Sequence, residues 1–283
     1  MNRVMALCYD FDKTLSPTDM QAQGYIQSVG YDVNEFWKET DLMSEANNMD
    51  GNLAYMYLMM KKAEGNFELT KEALEDYGSR VLLNPGVSTW FDRINEYGKS
   101  RNTDIEHYII SSGLREMIEG TEIARRGVFK EIYASSFYYD ENGKAVWPAQ
   151  AVNYTNKTQF LFRISKGFLN VNDKQINDKI PADKMRIPFR NMVYIGDSET
   201  DIPCMKLVNS YGGHSIGVYD NEKGLERVRQ MMRDERIRYY AKADYSEGGE
   251  LETILKLIID KTVAYEALED KHVENLHETF GDK

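Results

Sequence analysis

Two cysteines, Cys8 and Cys204, are all that this 283-residue sequence contains. They are far apart and show no Cys-x-x-Cys spacing. Neither a disulfide framework nor a zinc site can be read from them, and the pattern fits a reducing compartment. Cationic side chains are in the minority, 35 Lys and Arg against 46 Asp and Glu, for a formal net charge of −11. That balance argues against a nucleic-acid partner, whose phosphate backbone calls for clustered Lys and Arg. It excludes little else, because surface acidity also serves solubility. Long apolar runs are missing too. The short apolar segment after Met1 meets Asp10 too soon for a signal peptide or a membrane span, so the expectation is a cytoplasmic protein with no membrane partner. There are no repeats and no low-complexity tract.

What is present is an ordinary globular composition, 42% hydrophobic and 29% charged. The length buries a full core in one large domain or two modest ones. Four short apolar runs, Val4–Tyr9, Ile105–Ile110, Met192–Ile195 and Ser215–Tyr219, have the texture of buried parallel strands. Helix-like segments such as Leu114–Arg126, Thr158–Lys166 and Leu251–Lys261 lie between or after them. The expected fold is α/β, a doubly wound and mostly parallel sheet with a Rossmann-like core.

From about Ser16 to Arg80 the texture changes to Met, Tyr, Leu and Ala at helical spacing, as in Leu53, Tyr57, Met60 and Lys61, with no strand-like run. This reads as a helical cap inserted after the first strand and closed by Asn84-Pro85-Gly86. Its Met and Tyr residues are read as the core of that insertion and not as a ligand box. The expected division is 1–15 and 84–264 as α/β core, 16–83 as cap, and 265–283 as a polar C-terminal tail, either a solvated helix or partly disordered. Asn142-Gly143 between strand formers predicts a β-hairpin.

Four motifs carry chemistry. Asp10 follows the first apolar run and Asp12 stands two residues on. Gly196-Asp197-Ser198-Glu199-Thr200-Asp201 follows Val193-Tyr194-Ile195. At the carboxyl ends of neighbouring parallel strands these carboxylates reach one crevice. With no His or Cys among them they suit a hard cation such as Mg²⁺. Either motif alone reads equally well as a helix cap; their pairing is the stronger sign. Asn156-Lys157-Thr158-Gln159 reads as an N-cap and first turn. A Lys there is slightly unfavourable against the helix dipole unless an anion binds beside it. Ser111-Ser112-Gly113, after Ile109-Ile110, offers a hydroxyl and backbone N–H groups for a phosphate, or an ordinary N-cap.

In order and content these motifs resemble the haloacid dehalogenase superfamily in its phosphatase branch. That pattern has a strand ending in Asp-x-Asp-x-Thr, a strand ending in Ser or Thr, a Lys, and Gly-Asp-x-x-x-Asp. The resemblance spans Asp10 to Asp201. The helical insertion is similar to the first cap type, as in the subfamily that includes phosphoserine phosphatase. Lys13 and Ser198 depart from the commonest pattern, which favours Gly at the first position and Gly or Asp at the second.

The resemblance implies a small phosphorylated substrate and Mg²⁺ as cofactor. It implies Asp10 as the nucleophile that forms an aspartyl-phosphate, and Asp12 as acid and then base. The metal would be held by Asp10, the Asp12 carbonyl and Asp197, with Asp201 direct or through water. Lys157 and Ser111, with Ser112 and Gly113, would bind phosphoryl oxygens, and Thr14 would orient the Asp12 region. Arg115 is a further candidate for a substrate anion. A phosphotransferase using the same intermediate, and a non-catalytic binding protein of the same fold, are the rival readings. The identity of the substrate and the oligomeric state are not legible.

Three features are read as decoys. Gly213-His214-Ser215-Ile216-Gly217 matches the serine-hydrolase elbow, but its Ser would enter a strand instead of leaving one. His107 lies inside a strand and reads as core. His272 and His277 are not spaced to share a helix face.

Overall fold

A computed structural model describes residues 3–181 and 184–281 of the chain. The first strand, β1 (Arg3–Tyr9), is followed by four helices, α1 (Tyr25–Ser28), α2 (Val33–Asn47), α3 (Gly51–Ala63) and α4 (Lys71–Gly78). The chain then runs α5 (Val87–Lys99), β2 (Thr103–Leu114), α6 (Arg115–Gly120), α7 (Glu122–Arg125), β3 (Phe129–Tyr139), β4 (Ala145–Gln150) and α8 (Thr158–Lys166). It closes with β5 (Met192–Gly196), α9 (Ile202–Ser210), β6 (His214–Tyr219), α10 (Glu222–Arg233), β7 (Tyr239–Lys242) and α11 (Glu250–Phe280).

The sheet has seven strands in the order β4-β3-β2-β1-β5-β6-β7. Every pairing is parallel except β3 with β4. This is the expected doubly wound α/β core. Alternation along β1 shows why both faces need helices: Met5, Leu7 and Tyr9 enter one apolar cluster, Ala6 and Cys8 the other. Register does the positioning. Tyr9 stands opposite Ile109 on one side and Ile195 on the other, so Asp10, Ser111 and Asp197 all emerge at the same edge.

Several local expectations change. The helix expected over Leu114–Arg126 is two short helices, because β2 runs on to Leu114 and Thr121 ends α6 and caps α7, its hydroxyl accepting from the Ala124 N–H. Gly120 sits where a Cβ would lie 2.1 Å from the Glu75 carbonyl, so this break lets α4 pack closely. The hairpin at Asn142-Gly143 exists, but with a five-residue connection and only Gly143 left-handed. The Asp140 carboxylate holds it by accepting from the N–H groups of Asn142 and Lys144.

The buried face of α3 is not the stripe through Leu53, Tyr57, Met60 and Lys61. It runs through Asn52, Tyr55, Met56, Met59 and Ala63, while Tyr57 and Lys61 face solvent. Apolar residues on several faces of this helix hid which one packs; the polar Asn52 marks it. The N-cap before α8 is Asn153, heading a 3₁₀ turn Tyr154–Lys157, and not Asn156, whose side chain instead accepts from the Asn153 N–H.

The segment from 265 continues α11 without a break, and Glu266 pairs with Arg190 and Asp270 with Arg3. No helix among the described residues is long and apolar enough to cross a membrane.

Candidate active site at the carboxyl edge of the sheet

Immediately after β1 the backbone turns tightly. The Phe11 carbonyl accepts from the N–H groups of Thr14, Leu15 and Ser16, at 3.2, 2.9 and 3.0 Å. The turn needs a left-handed residue at Lys13, whose φ is +57°, which gives a physical reason for glycine being common at that position of the pattern. The turn fixes Asp10 beside β5, with the Asp10 N–H donating to the Ile195 carbonyl at 2.9 Å. It also aims Asp12 toward the helical insertion, where its Oδ1 accepts from the Met20 N–H at 2.8 Å.

Three carboxylates converge here. Oxygens of Asp10, Asp197 and Asp201 all lie within 4.8 Å of one another, and all three residues are buried. Lys157 answers them from the turn before α8. Its Nζ donates to Asp201 Oδ1 at 2.8 Å and to Asp10 Oδ1 at 3.3 Å, and its side chain is wholly buried. Asp201 has little capacity left, since Oδ1 also accepts from the Tyr194 hydroxyl and Oδ2 from the Ser198 N–H. Asp197 Oδ2, by contrast, is buried without a hydrogen-bond partner. Its nearest cation is Arg227 on α10, at 3.5 Å.

Two glycines make this crowding possible. A Cβ on Gly196 would lie 2.5 Å from Asp201 Oδ2, and one on Gly113 would lie 2.4 Å from Met20 Cε and 2.9 Å from Asp12 Oδ2.

The electrostatics follow from burial. Loss of hydration drives the Asp10 carboxyl up to about 6, with the Lys157 ammonium opposing and the Asp201 carboxylate adding to the rise. Asp12 is held well above the usual carboxylate range by burial, then by Asp19 and Asp10. Asp197 is likewise raised well above it by burial and by the charges of Asp201 and Asp10, against Arg227 and Lys13. Burial alone would pull the Lys157 ammonium down, yet Asp10 and Asp201 outweigh it and hold it above the ordinary lysine range. A crowded set of buried oxygen donors, one of them orphaned, fits a hard divalent cation: the positive charge relieves the repulsion and fills the vacant partner position.

Ser111, three residues before the end of β2, is buried, with its Oγ accepting from the Gly113 N–H at 3.1 Å. The Ser112 carbonyl accepts from the Tyr55 hydroxyl at 2.9 Å and from Ser135 Oγ at 3.2 Å, and Asn52 Nδ2 lies 3.4 Å away. The helical insertion is thus tied to the sheet edge.

Two sequence candidates are not brought in. Arg115 is engaged by Glu119 at 2.7 Å and Glu131 at 3.4 Å and does not line the cavity. The Thr14 hydroxyl is buried with no partner; the residue acts through its carbonyl, which accepts from Asn84 Nδ2 at 2.7 Å.

Above the carboxylates lies a cavity of about 230 Å³. Residues that motif reading did not select close it: Gln21, Trp37, Asn52 and Tyr55 from the insertion, Lys13 and Asp19 near the turn, and Ser198, Thr200 and Arg227 from the sheet side. Lys13, Ser198 and Thr200 stand inside the quoted motifs and Asp19 seven residues beyond Asp12, so these four had a signal close by in sequence. Arg227 lies in no motif and arrives through the packing of α10 on β6. Two of the decoys settle as expected. Ser215 lies within β6, buried and bonded to Asn209, and His107 is packed between the Tyr9 hydroxyl and Asn95.

Comparisons with known proteins agree with this geometry. The profile of the haloacid dehalogenase-like hydrolases matches residues 7–206. A protein of Borreliella burgdorferi, described only as uncharacterized, is 30% identical over 275 residues, covering 88% of this chain and 94% of its own length. A haloacid dehalogenase family hydrolase from Salmonella enterica serovar Typhi is similar in structure, with a TM-score of 0.59 at 16% identity over 89% of this chain and 70% of that one. A probable phosphoserine phosphatase from Vibrio cholerae aligns with a TM-score of 0.58 at 12% identity, over 94% of this chain and 67% of that one. At these identities the structural likeness is one of fold.

Proposed function

The chain belongs to the haloacid dehalogenase-like hydrolases, and on that premise we propose that it is a Mg²⁺-dependent phosphomonoesterase acting on a small phosphorylated metabolite. One observation carries the reading: Asp10, Asp197 and Asp201 gather within 4.8 Å beside the buried Lys157 ammonium. Paired carboxylates, a hard-cation donor set and a buried amine are the parts that phosphoryl transfer requires. The phosphatase name of one structural neighbour points the same way.

In this proposal residues 1–15 and 84–264 form the catalytic core, 16–83 the cap that closes over it and 265–283 a polar C-terminal tail, of which 265–280 continue the last helix. Mg²⁺ would be held by Asp10, the Asp12 carbonyl and Asp197, with Asp201 direct or through water. When bound it supplies charge that offsets the repulsion between an anionic nucleophile and an anionic ester.

An Asp10 carboxylate oxygen attacks phosphorus, a new P–O bond forms, and the bond to the leaving oxygen breaks. The raised pKa of Asp12 keeps a proton available there, and this proton goes to the leaving oxygen. Water then attacks the aspartyl-phosphate, Asp12 takes its proton, and inorganic phosphate leaves with Asp10 restored. Ser111 and the Ser112 and Gly113 N–H groups receive the non-bridging oxygens, and Lys157 fixes Asp10. Arg115 has no part in this assignment, because Glu119 and Glu131 hold it.

The test is hydrolysis of p-nitrophenyl phosphate with Mg²⁺ by the wild type and by Asp10→Asn. The reading requires turnover by the first and none by a folded second.

A further inference from the structure

The cavity over the carboxylates is closed by side chains that no part of the reaction uses, and their chemistry bears on what leaves. This inference rests on the phosphatase reading and goes further, to the class of leaving group. The space is small: about 230 Å³, below the roughly 300–1,000 Å³ of pockets for drug-sized ligands. Trp37 and Tyr55 form its aromatic wall, their ring centroids 5.9 Å apart. Among the described residues only two cations line it, Lys13 and Arg227, and both already face carboxylates. Lys13 Nζ lies 2.9 Å from Asp19 Oδ2, and Arg227 Nη1 lies 3.5 Å from Asp197 Oδ2.

Of the unmatched polar groups in the wall, which also include Ser112 Oγ, Asp197 Oδ2 and Arg227 Nε, two come from the helical insertion. Gln21 is 2% exposed and its Oε1 has no hydrogen-bond partner. Trp37 Nε1 is buried and likewise unpartnered. A buried unpaired donor or acceptor carries its desolvation cost until something pairs with it. The indole N–H can only donate, whereas Gln21 Oε1 can only accept.

The three common kinds of small leaving group meet this wall differently. A carboxylate offers acceptors alone, leaves Gln21 Oε1 unmatched and brings a negative charge to a cavity lined by Asp10, Asp12, Asp19 and Asp197 against Lys13 and Arg227. An ammonium offers donors alone and leaves the indole N–H unmatched. A hydroxyl both donates and accepts, and adds no charge.

We propose that Gln21 and Trp37 are specificity residues that select an uncharged, hydroxylated leaving group, so that the preferred substrates are short polyol or sugar phosphates.

The experiment compares kcat/KM for glycerol 1-phosphate, phosphoglycolate, phosphoethanolamine and p-nitrophenyl phosphate with Mg²⁺, for the wild type, Gln21→Leu and Trp37→Phe. The wild type is expected to favour glycerol 1-phosphate over both charged esters by about tenfold or more, as sites built around hydroxyl recognition do. Each variant is expected to lose about tenfold more efficiency on glycerol 1-phosphate than on the aryl ester, mainly through KM. Trp37→Phe keeps the aromatic wall and tests the N–H alone, so a poorly folded Gln21→Leu does not stall the comparison. A wild-type preference for phosphoglycolate or phosphoethanolamine, or equal losses on all esters in both variants, overturns the inference and leaves the phosphatase reading standing. No hydrolysis of any ester overturns both.

Discussion

Lys157 Nζ lies 2.8 Å from Asp201 Oδ1, and neither side chain touches solvent. A buried pair of this kind is a poor source of net stability compared with apolar packing, but removing one partner is costly, because the other charge is left uncompensated. Here the same amine also reaches the proposed nucleophile, so its loss strikes fold and chemistry together.

Lys157→Met therefore leaves Asp10 and Asp201 facing each other without a cation. The expected destabilisation is about 3–5 kcal/mol near neutral pH, read as a fall in melting temperature, with phosphatase activity lost. Without the ammonium, which opposes the rise at Asp10, that carboxyl is pushed up further. Its charge then costs stability once pH passes its unfolded value, and the cost disappears as pH falls and it protonates. The gap between variant and wild type should narrow toward acid pH. A gap independent of pH would mean that the side chain matters for packing alone.

Asp197 is the carboxylate with an orphaned oxygen and a strongly raised pKa. A group whose folded pKa is raised disfavours the folded state once pH passes its unfolded value. In the metal-free protein at neutral pH, Asp197→Asn should consequently raise the melting temperature. Mg²⁺ should stabilise the wild type, by about 2.7 kcal/mol at a hundred times its dissociation constant. It should give the Asn variant little or nothing. A Mg²⁺-induced shift of equal size in both proteins would remove Asp197 from the metal site.

Asp12 is raised by burial first and by the Asp19 charge next. Asp19→Asn removes that neighbour, so the Asp12 pKa falls and its proton is lost at lower pH. The alkaline limb of kcat against pH, which reports loss of the general acid, should move toward acid. Freeing Lys13 from its 2.9 Å contact with Asp19 pushes in the same direction. An unmoved alkaline limb would assign that proton to another group.

Much of the architecture could be read before any coordinates, for a reason visible in β1. A strand buried on both faces must be an unbroken apolar run, and the polar residue that ends it must lie at the sheet edge. Asp10, Ser111 and Asp197 were legible on those grounds, and register brings them level. Lys157 was legible as a candidate, and the resemblance set it against the carboxylate cluster; which oxygens it bonds was not, because reaching Asp201 depends on a 3₁₀ turn headed by Asn153. Residues reached only by tertiary packing stayed hidden. Arg227 comes from α10, with no motif around it. Trp37 and Gln21 lie in an insertion whose apolar residues occupy several helix faces, so the face turned toward the site has no periodic signature. Arg115 illustrates the opposite error: proximity in sequence to Ser111 placed it near the cleft, while Glu119 and Glu131 turn its guanidinium elsewhere.

The central claim is that the Asp10 carboxylate carries the phosphoryl group between ester and water. The most direct measurement is rapid acid quenching of the enzyme during turnover with Mg²⁺, followed by mass analysis of its peptides. The account predicts one phosphoryl group on the peptide containing Asp10, absent from the same peptide of Asp10→Asn, which is inactive yet folded. Steady turnover with that peptide unmodified, or full activity in Asp10→Asn, would contradict it.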